Sequence, residues 1–302
     1  MQASQPSERK KEILPERIDA ALDRLSSCAL CPRACRVDRT RNAQGMCLTT
    51  DHAVVYGYMP HFGEEPPLSG TRGSGTIFFS RCSLGCCFCQ NDDISIRGDG
   101  ESALPEQIAG AMMILQEKGC HNINFVTPTH VVPFILQAVS LALDRGLNIP
   151  LVYNTSGYEQ PHTLALLDGI IDIYLPDFKF WDPDVAQQAC KAPDYPEMAR
   201  QAVRIMHRQT GDLCLDEDGI AQSGLLVRHL VMPENLAGTG EILSFLARDV
   251  SPGTRVNIMS QYRPVGDALQ MPNFSRSASA GEFRRALNIA KTLGLHIVNY
   301  SK

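Results

Sequence analysis

Three cysteines lie close together in the first third of the chain, and their spacing suits iron-sulfur chemistry. Cys82, Cys86 and Cys89 form a C-x3-C-x2-C array directly after a short apolar run. A cubane [4Fe-4S] cluster has four irons and usually takes four cysteine thiolates. A loop that offers three thiolates therefore leaves one iron open to a ligand from outside the protein. Zinc is the alternative, but structural zinc sites take four nitrogen or sulfur ligands.

A second group of cysteines precedes the first. Its four members follow the pattern C-x2-C-x3-C-x11-C, and they are Cys28, Cys31, Cys35 and Cys47. Four thiolates form a closed metal site, for which zinc and a fully ligated second iron-sulfur cluster are both suitable. A cysteine-rich fold without metal stays open as a third alternative. Four arginines make the segment locally basic, and we expect them to form a solvated surface or else a dock for an acidic partner: Arg33, Arg36, Arg39 and Arg41.

The elements that must position these cysteines alternate along the chain. Strand-like apolar runs occur at residues 76–80, 122–127, 150–154, 171–175, 225–231, 254–259 and 295–298. Segments with helical spacing of apolar residues lie between them, at 104–118, 131–145, 162–168, 195–208, 241–247 and 280–293. Strict alternation of strand and helix predicts a parallel sheet with right-handed crossovers. About six or seven units are too few for a complete eight-unit barrel, so we expect an α/β fold with a partial barrel.

Polar motifs follow the carboxyl ends of five predicted strands, where parallel barrels build their sites. In chain order they are Thr127-Pro128-Thr129-His130, Asn154-Thr155-Ser156-Gly157, Pro176-Asp177-Phe178-Lys179, Arg228-His229 and Ser260-Gln261-Tyr262-Arg263-Pro264. Each motif alone is weak evidence, because a polar residue at a strand end is as often structural as functional. Five of them at equivalent ends predict one shared site.

Together, the cysteine array and these motifs resemble the radical S-adenosylmethionine (SAM) superfamily. Within it they resemble the PflX-type branch of the pyruvate formate-lyase activating enzyme family, through Cys-Pro-Arg in the first cysteine segment, the approach Gly73–Phe79, Cys-Gln-Asn after the array and Val-Thr-Pro-Thr-His. The resemblance covers roughly residues 28–264. It implies a partial (β/α)6 TIM-like barrel of the radical SAM type at 73–302, preceded by an N-terminal helix and four-cysteine segment at 1–72. It also implies a [4Fe-4S] cluster on Cys82, Cys86 and Cys89, with SAM on the open iron.

The same resemblance implies roles for single residues. Phe88, just before the last cysteine of the array, is implied to lie near the adenine of SAM. Asp177 and Lys179 match an Asp-x-Lys that contacts SAM and an adjacent cation, while Asn154 replaces one carboxylate of that cation site. The residues at the remaining implied cofactor positions are Thr127, His130, Ser156 and Arg228.

For the reaction, the resemblance implies reductive cleavage of SAM to methionine and a 5′-deoxyadenosyl radical that abstracts a hydrogen atom. The first candidate for the target is a backbone glycine of a glycyl-radical enzyme, which would make the protein an activase. A small-molecule or peptide-modifying enzyme is the alternative, and a non-catalytic iron-sulfur or zinc binding protein is the hypothesis from another class. An electron donor such as flavodoxin or ferredoxin is the further implied partner. An activase would also need an open barrel mouth beside Arg228, His229, Gln261, Tyr262 and Arg263.

Composition restricts the partners and the cellular compartment that we expect for the protein. The 302 residues are 44% hydrophobic and 20% charged with a net charge of −5, so the basic excess typical of nucleic-acid binding is missing. The first residues have no apolar signal-peptide core, and no apolar run reaches the ~18 residues of a membrane span. We therefore expect a cytoplasmic protein without nucleic-acid or membrane partners. Eleven clustered cysteines favour metal binding in a reducing compartment over disulfides.

Overall fold

Strands and helices alternate through residues 6–298, the part of the chain that a computed structural model describes. The strands are β1 (Ala53–His61), β2 (Ser74–Phe79), β3 (Glu101–Ala103), β4 (Ile123–Val126), β5 (Leu151–Thr155), β6 (Ile173–Pro176), β7 (Cys214–Leu215), β8 (Ala221–Leu230), β9 (Arg255–Met259) and β10 (His296–Ile297). The α-helices are α1 (Pro6–Asp23), α2 (Pro66–Ser69), α3 (Pro105–Glu117), α4 (Val132–Asp144), α5 (Pro161–Leu167), α6 (Pro183–Cys190), α7 (Tyr195–Thr210), α8 (Thr239–Phe245) and α9 (Ala280–Thr292).

One sheet contains all of these strands. Its order is β10-β9-β8-β6-β5-β4-β2-β1-β3, and β7 pairs with β8 beside this path. The pairs from β2 through β4, β5, β6, β8 and β9 to β10 are parallel, whereas β1 and β3 extend one edge in antiparallel fashion. Within residues 6–298 the two ends of this order do not pair, so the sheet is open. Six strand-helix units precede β10, and the predicted α/β partial barrel is confirmed.

Proline and glycine explain why the predicted helix boundaries lie close to the observed ones. Proline stands at one of the first two positions of each helix from α3 to α7. Its fixed φ suits a helix start, and its missing N–H is not needed there. Gly146 and Gly211 follow α4 and α7 with φ of 92° and 75°, a conformation that glycine adopts at little cost.

The two faces of the sheet bury different cores. Tyr153 and Tyr174 belong to the large core between the sheet and the helices, whereas their neighbours Val152 and Ile173 belong to a smaller cluster on the opposite face. This division follows from the alternation of side chains along a strand. Leu68 of α2 lies in the smaller cluster, so α2 fills the concave side of the sheet beneath the strand ends.

The N-terminal segment packs onto the same sheet and helices. α1 packs against α4 and α5, and Lys10 Nζ donates to Asp172 Oδ2 at 2.6 Å. β1 pairs with β2, with His61 opposite Ser74. The sequence pattern did not predict β1, because the consecutive apolar residues Tyr58 and Met59 are both exposed and break the alternation of buried and exposed positions.

Candidate active site

A cavity of about 170 Å³ lies at the carboxyl ends of the parallel strands. Its wall includes all three thiols of the array, from Cys82, Cys86 and Cys89. Six strand-end residues with predicted cofactor roles also line it, and they are Thr127, Asn154, Ser156, Asp177, Lys179 and Arg228. The strand-end geometry thus brings together most of the residues that the sequence singled out.

The cluster loop begins where β2 ends and is held by backbone turns and hydrogen bonds. Arg81 and Gly85 take positive φ values of 76° and 66°, which turn the chain on either side of Cys82. The Arg81 N–H donates to the Ile94 carbonyl at 2.9 Å. The Leu84 N–H donates to Cys82 Sγ at 3.3 Å. The loop therefore has a defined conformation that points its thiols into the cavity.

Asp177 is held by two cations at the centre of the site. Lys179 Nζ donates to Asp177 Oδ2 at 2.7 Å, and Arg228 Nε donates to Asp177 Oδ1 at 2.8 Å. Burial alone would raise the pKa of Asp177, but Arg228 and Lys179 bring it below its ordinary value. The carboxylate thus stays charged, and both of its oxygens are occupied.

Arg228 also binds residues on two other elements. Its guanidinium donates to Asn154 Oδ1, and its Nη1 lies 3.4 Å from Glu64 Oε2. Glu64 is buried just before α2 and accepts a further bond from Asn124 Nδ2 at 3.1 Å. Burial raises the pKa of Glu64, whereas Arg228 acts to lower it. Arg228 therefore connects β8, β5 and the segment that enters the concave side of the sheet.

The donor set fits a [4Fe-4S] cluster with one open iron. Three thiols face one cavity, and Lys179 supplies a cation beside them for an anionic group of a cofactor. Burial raises the pKa of Cys82 to about 11, so ligation by iron is what would stabilise its thiolate. Among residues 6–298 no three His, Cys, Asp or Glu side chains form a group ready to hold a metal ion. A cubane needs no such convergence, because each thiolate binds a different iron.

Two predicted cofactor residues lie elsewhere. His130 is buried behind the cluster loop, where its Nε2 is 2.8 Å from the Ser80 carbonyl. Burial lowers the pKa of His130 to about 4, so the ring is neutral at ordinary pH. Phe88 is buried in an aromatic group with Tyr262 and Phe274, at ring-centroid distances of 5.3 and 6.4 Å. Neither side chain is part of the cavity wall described above.

Two residues of the predicted barrel mouth are buried as well. His229 binds the Phe178 carbonyl through Nδ1 and Thr239 Oγ1 through Nε2, both at 2.9 Å. The Tyr262 hydroxyl donates to the Phe274 carbonyl at 2.7 Å. The expectation that these two side chains line an open mouth is therefore wrong. Both satisfy their polar atoms inside the protein, as buried groups must.

Glu159 is a buried acid that sequence reasoning missed. It accepts hydrogen bonds from the hydroxyls of Thr129, Thr155 and Tyr153. Burial raises the pKa of Glu159 to about 7, although these three hydroxyls act to lower it. Because Thr155 lines the cavity, Glu159 fixes the β5 end of the site. In the sequence, Glu159 lies four residues after Thr155, and no motif marks it as a site residue.

The four-cysteine segment packs directly against the cluster loop. Arg33 Nε donates to the Ser83 carbonyl at 3.0 Å, and its Nη2 donates to the carbonyls of Leu84 and Cys190 at 2.9 and 2.6 Å. Arg39 is buried and donates to the His130 carbonyl at 2.8 Å. Two of the four arginines thus bind the barrel itself.

Within that segment the four thiols influence one another. Burial raises the pKa of Cys31 to about 12, and the neighbouring Cys47, Cys28 and Cys35 act in the same direction. Cys35 Sγ accepts from the Met46 N–H at 3.3 Å. A Cβ at Gly45 would lie 2.7 Å from Cys35 Sγ, so only glycine fits there. Cys28, Cys35 and Cys47 thus lie near enough to act on the charge of Cys31, but no three of the four thiols converge on one metal position within residues 6–298, and a metal on them stays a prediction.

Comparisons with known proteins agree with this geometry. The family model of the radical SAM superfamily matches residues 76–217, which include the cluster loop and four of the strand ends. The "Uncharacterized protein MJ0674" of Methanocaldococcus jannaschii is 30% identical over 298 residues, covering 96% of this chain and 81% of that protein. The chain belongs to the radical SAM superfamily, and the protein is a radical SAM enzyme. Membership implies a [4Fe-4S] cluster and SAM as cofactors.

The solved structures that this chain is similar to have low sequence identity. A radical SAM methyltransferase from Sphaerobacter thermophilus is 16% identical at a TM-score of 0.49, over 74% of this chain and 65% of that one. A domain of pyruvate-formate lyase-activating enzyme from Bacteroides vulgatus is 15% identical at a TM-score of 0.38, over 65% and 91%. Streptococcus suis SuiB bound to S-adenosylmethionine is 11% identical at a TM-score of 0.48, over 73% and 48%. No helix in residues 6–298 is long and apolar enough to cross a membrane.

Proposed function

We propose that the protein cleaves SAM reductively and uses the resulting 5′-deoxyadenosyl radical to take a hydrogen atom from a backbone glycine of a partner protein. The observation that carries the proposal is the single cavity that combines Cys82, Cys86 and Cys89 with the Asp177–Lys179 pair. When bound there, the cluster supplies the electron for cleavage of SAM. The resemblance to activating enzymes supplies the choice of a glycine as the target.

The residues of this chain bind and orient the cofactor. Lys179 is a cation whose charge acts on Cys86, and it suits the carboxylate of SAM. Asp177, which is itself fixed by Arg228, holds the Lys179 side chain in the cavity. Thr127 has a φ of 58°, which costs a β-branched residue about 1–3 kcal/mol of strain, and strain of this kind clusters at functional sites. Thr127 lines the cavity at the end of β4.

A partner protein would meet the site beside the loop that follows β9. The loop after β9 contacts the cluster loop, since Gln90 Nε2 donates to the Gln261 carbonyl at 3.0 Å. Gln261 and Arg263 are exposed on this loop, and they supply polar groups able to hold a backbone. Exposed polar side chains on a loop that contacts the cluster loop favour a macromolecular target over a small molecule enclosed from water.

Electron paramagnetic resonance tests this proposal. The protein is incubated anaerobically with SAM, a reductant and a glycyl-radical enzyme from the same organism, and we expect a glycyl doublet. The doublet should vanish in the Cys82, Cys86 and Cys89 alanine variant. It should persist in a control with alanine at the exposed Cys214. Formation of 5′-deoxyadenosine without any doublet would contradict the activase and direct the search to small molecules or other peptides.

We also propose that Cys28, Cys31, Cys35 and Cys47 hold a metal centre, either zinc or a second iron-sulfur cluster. The support comes from Arg39, a buried cation whose acceptors are the carbonyls of Thr50 and His130 and Cys28 Sγ at 3.8 Å. Its Nη2 has no hydrogen-bond partner among the described residues. A buried charge without an opposite charge is costly, and a thiolate centre beside it would supply that charge.

Metal analysis of the variant that lacks Cys82, Cys86 and Cys89 tests the centre separately from the cluster. Zinc at about one per chain supports a structural site. Iron at about four per chain supports an auxiliary cluster. Absence of both metals from freshly purified protein would overturn the proposal. A further loss of the metal on replacement of Cys31 and Cys35 would assign it to this segment.

A further inference from the structure

Each thiol of the array has a hydrogen-bond partner. Cys82 Sγ accepts from the Leu84 backbone, within the loop itself. Cys89 Sγ lies 3.0 Å from Ser95 Oγ, and Cys86 Sγ lies 3.6 Å from Cys190 Sγ. Ser95 follows the array, whereas Cys190 is the last residue of α6. Two side chains from outside the array thus contact two of its three sulfurs.

The position of Cys190 is fixed by its backbone. The Cys87 N–H donates to the Ala189 carbonyl at 2.8 Å, which ties the cluster loop to the end of α6. Arg33 donates to the Cys190 carbonyl at 2.6 Å and also to two carbonyls of the cluster loop, as described above. Cys190 itself is buried, so its thiol has few other partners. The approach of Cys190 to Cys86 is therefore built into the fold.

Ligation of the array cysteines by iron determines which atom donates the hydrogen bond in each contact. A cysteine bound to iron is a thiolate, and a thiolate can only accept a hydrogen bond. The S–H of Cys190 and the O–H of Ser95 must then be the donors. Hydrogen bonds to the sulfurs are among the factors that set the potential of an iron-sulfur cluster. Donors stabilise the reduced state more than the oxidised state, because the reduced cluster carries more negative charge.

We propose that Cys190 and Ser95 are positioning residues that raise the reduction potential of the cluster by donating hydrogen bonds to Cys86 and Cys89. This inference rests on membership of the radical SAM superfamily and does not depend on a glycine as the target. The higher reduction potential would make the cluster easier to reduce by a physiological electron donor.

Redox titration of the reconstituted protein, followed by electron paramagnetic resonance, tests the proposal without any substrate protein. We expect Cys190→Ala and Ser95→Ala to keep about four irons per cluster. Each should lower the equilibrium constant for reduction several-fold, and a tenfold change corresponds to about 59 mV for a one-electron couple. Cys190→Ser should restore most of the shift, since its hydroxyl also donates. The controls are Cys120→Ala, a buried thiol elsewhere, and the exposed Ser102→Ala.

Two results would overturn the proposal. An unchanged potential in both alanine variants, with iron retained, would show that the hydrogen bonds do not act on the cluster. Loss of iron in both Cys190→Ala and Cys190→Ser would show that Cys190 is needed to assemble the cluster, not to adjust its potential. The iron content and the potential are measured on the same sample, so these cases are distinguished directly.

Discussion

Asp177 shows how single residues organise the site. The sequence predicted Asp177 and Lys179 as cofactor residues, and the structure places their charged groups 2.7 Å apart in the cavity wall. It also places Arg228, another predicted cofactor residue, beside Asp177 and adds Glu64 as a buried acid, so opposite charges alternate through the site. A binding carboxylate of SAM would therefore meet a lysine whose position is already fixed.

Lys179→Ala should weaken the binding of SAM and leave the cluster intact. Loss of a charge-assisted hydrogen bond costs roughly 1.5–3 kcal/mol, and Lys179 holds no position in the loop that carries the thiols. Calorimetry on the reconstituted protein measures the affinity, and the visible spectrum reports the cluster. Lys118→Ala, at an exposed position, serves as the control. An affinity equal to that of the unchanged protein would show that Lys179 does not bind the cofactor.

The directions of several side chains at the site could not be predicted from the sequence. A motif gives the position of a side chain along the chain, whereas its direction depends on contacts made elsewhere. His130 turns toward the Ser80 carbonyl and Phe88 packs among aromatic rings, although both belong to motifs beside the site. Ser95 and Cys190 contact the array without belonging to any motif. Such contacts between distant segments follow only from the packed structure.

At the scale of elements, periodicity predicted the alternating strands and helices of the barrel well. Buried strands such as β5 and amphipathic helices such as α7 carry clear apolar patterns, and prolines and glycines mark their ends. The elements that were missed are short or exposed. α2 has only four residues, Pro66–Ser69, yet it places Leu68 on the concave face of the sheet. No local pattern distinguishes such a turn from a loop.

The four-cysteine segment differs most from its predicted role. Its arginines were expected to form a solvated surface or a dock for an acidic partner. Instead, Arg33 binds backbone carbonyls on both the cluster loop and the end of α6, and Arg39 is buried against His130. Only Arg36 and Arg41 are exposed. The segment therefore supports the loop that carries the cluster, which gives the Cys-Pro-Arg motif a structural reason.

The described part of the molecule combines an open sheet, a cavity at its strand ends and two cysteine groups. Leu14, Leu25 and Leu30 from the N-terminal segment belong to the same large core as the barrel helices. The fold class was predictable because six strand-helix units leave few other arrangements for a chain of 302 residues. The cavity was predictable in outline, since strand ends meet at one edge of a parallel sheet. Its hydrogen-bond network was not.

SAM cleavage by the variant with alanine at Cys82, Cys86 and Cys89 tests the central claim most directly. The claim is that these three thiols hold the cluster that cleaves SAM, so the unchanged protein, reconstituted and reduced, should form 5′-deoxyadenosine. The variant should form none and should lose the cluster absorbance, while its thermal unfolding remains cooperative. Chromatography of the anaerobic reaction measures the product. Formation of 5′-deoxyadenosine by the variant at the rate of the unchanged protein would contradict the account.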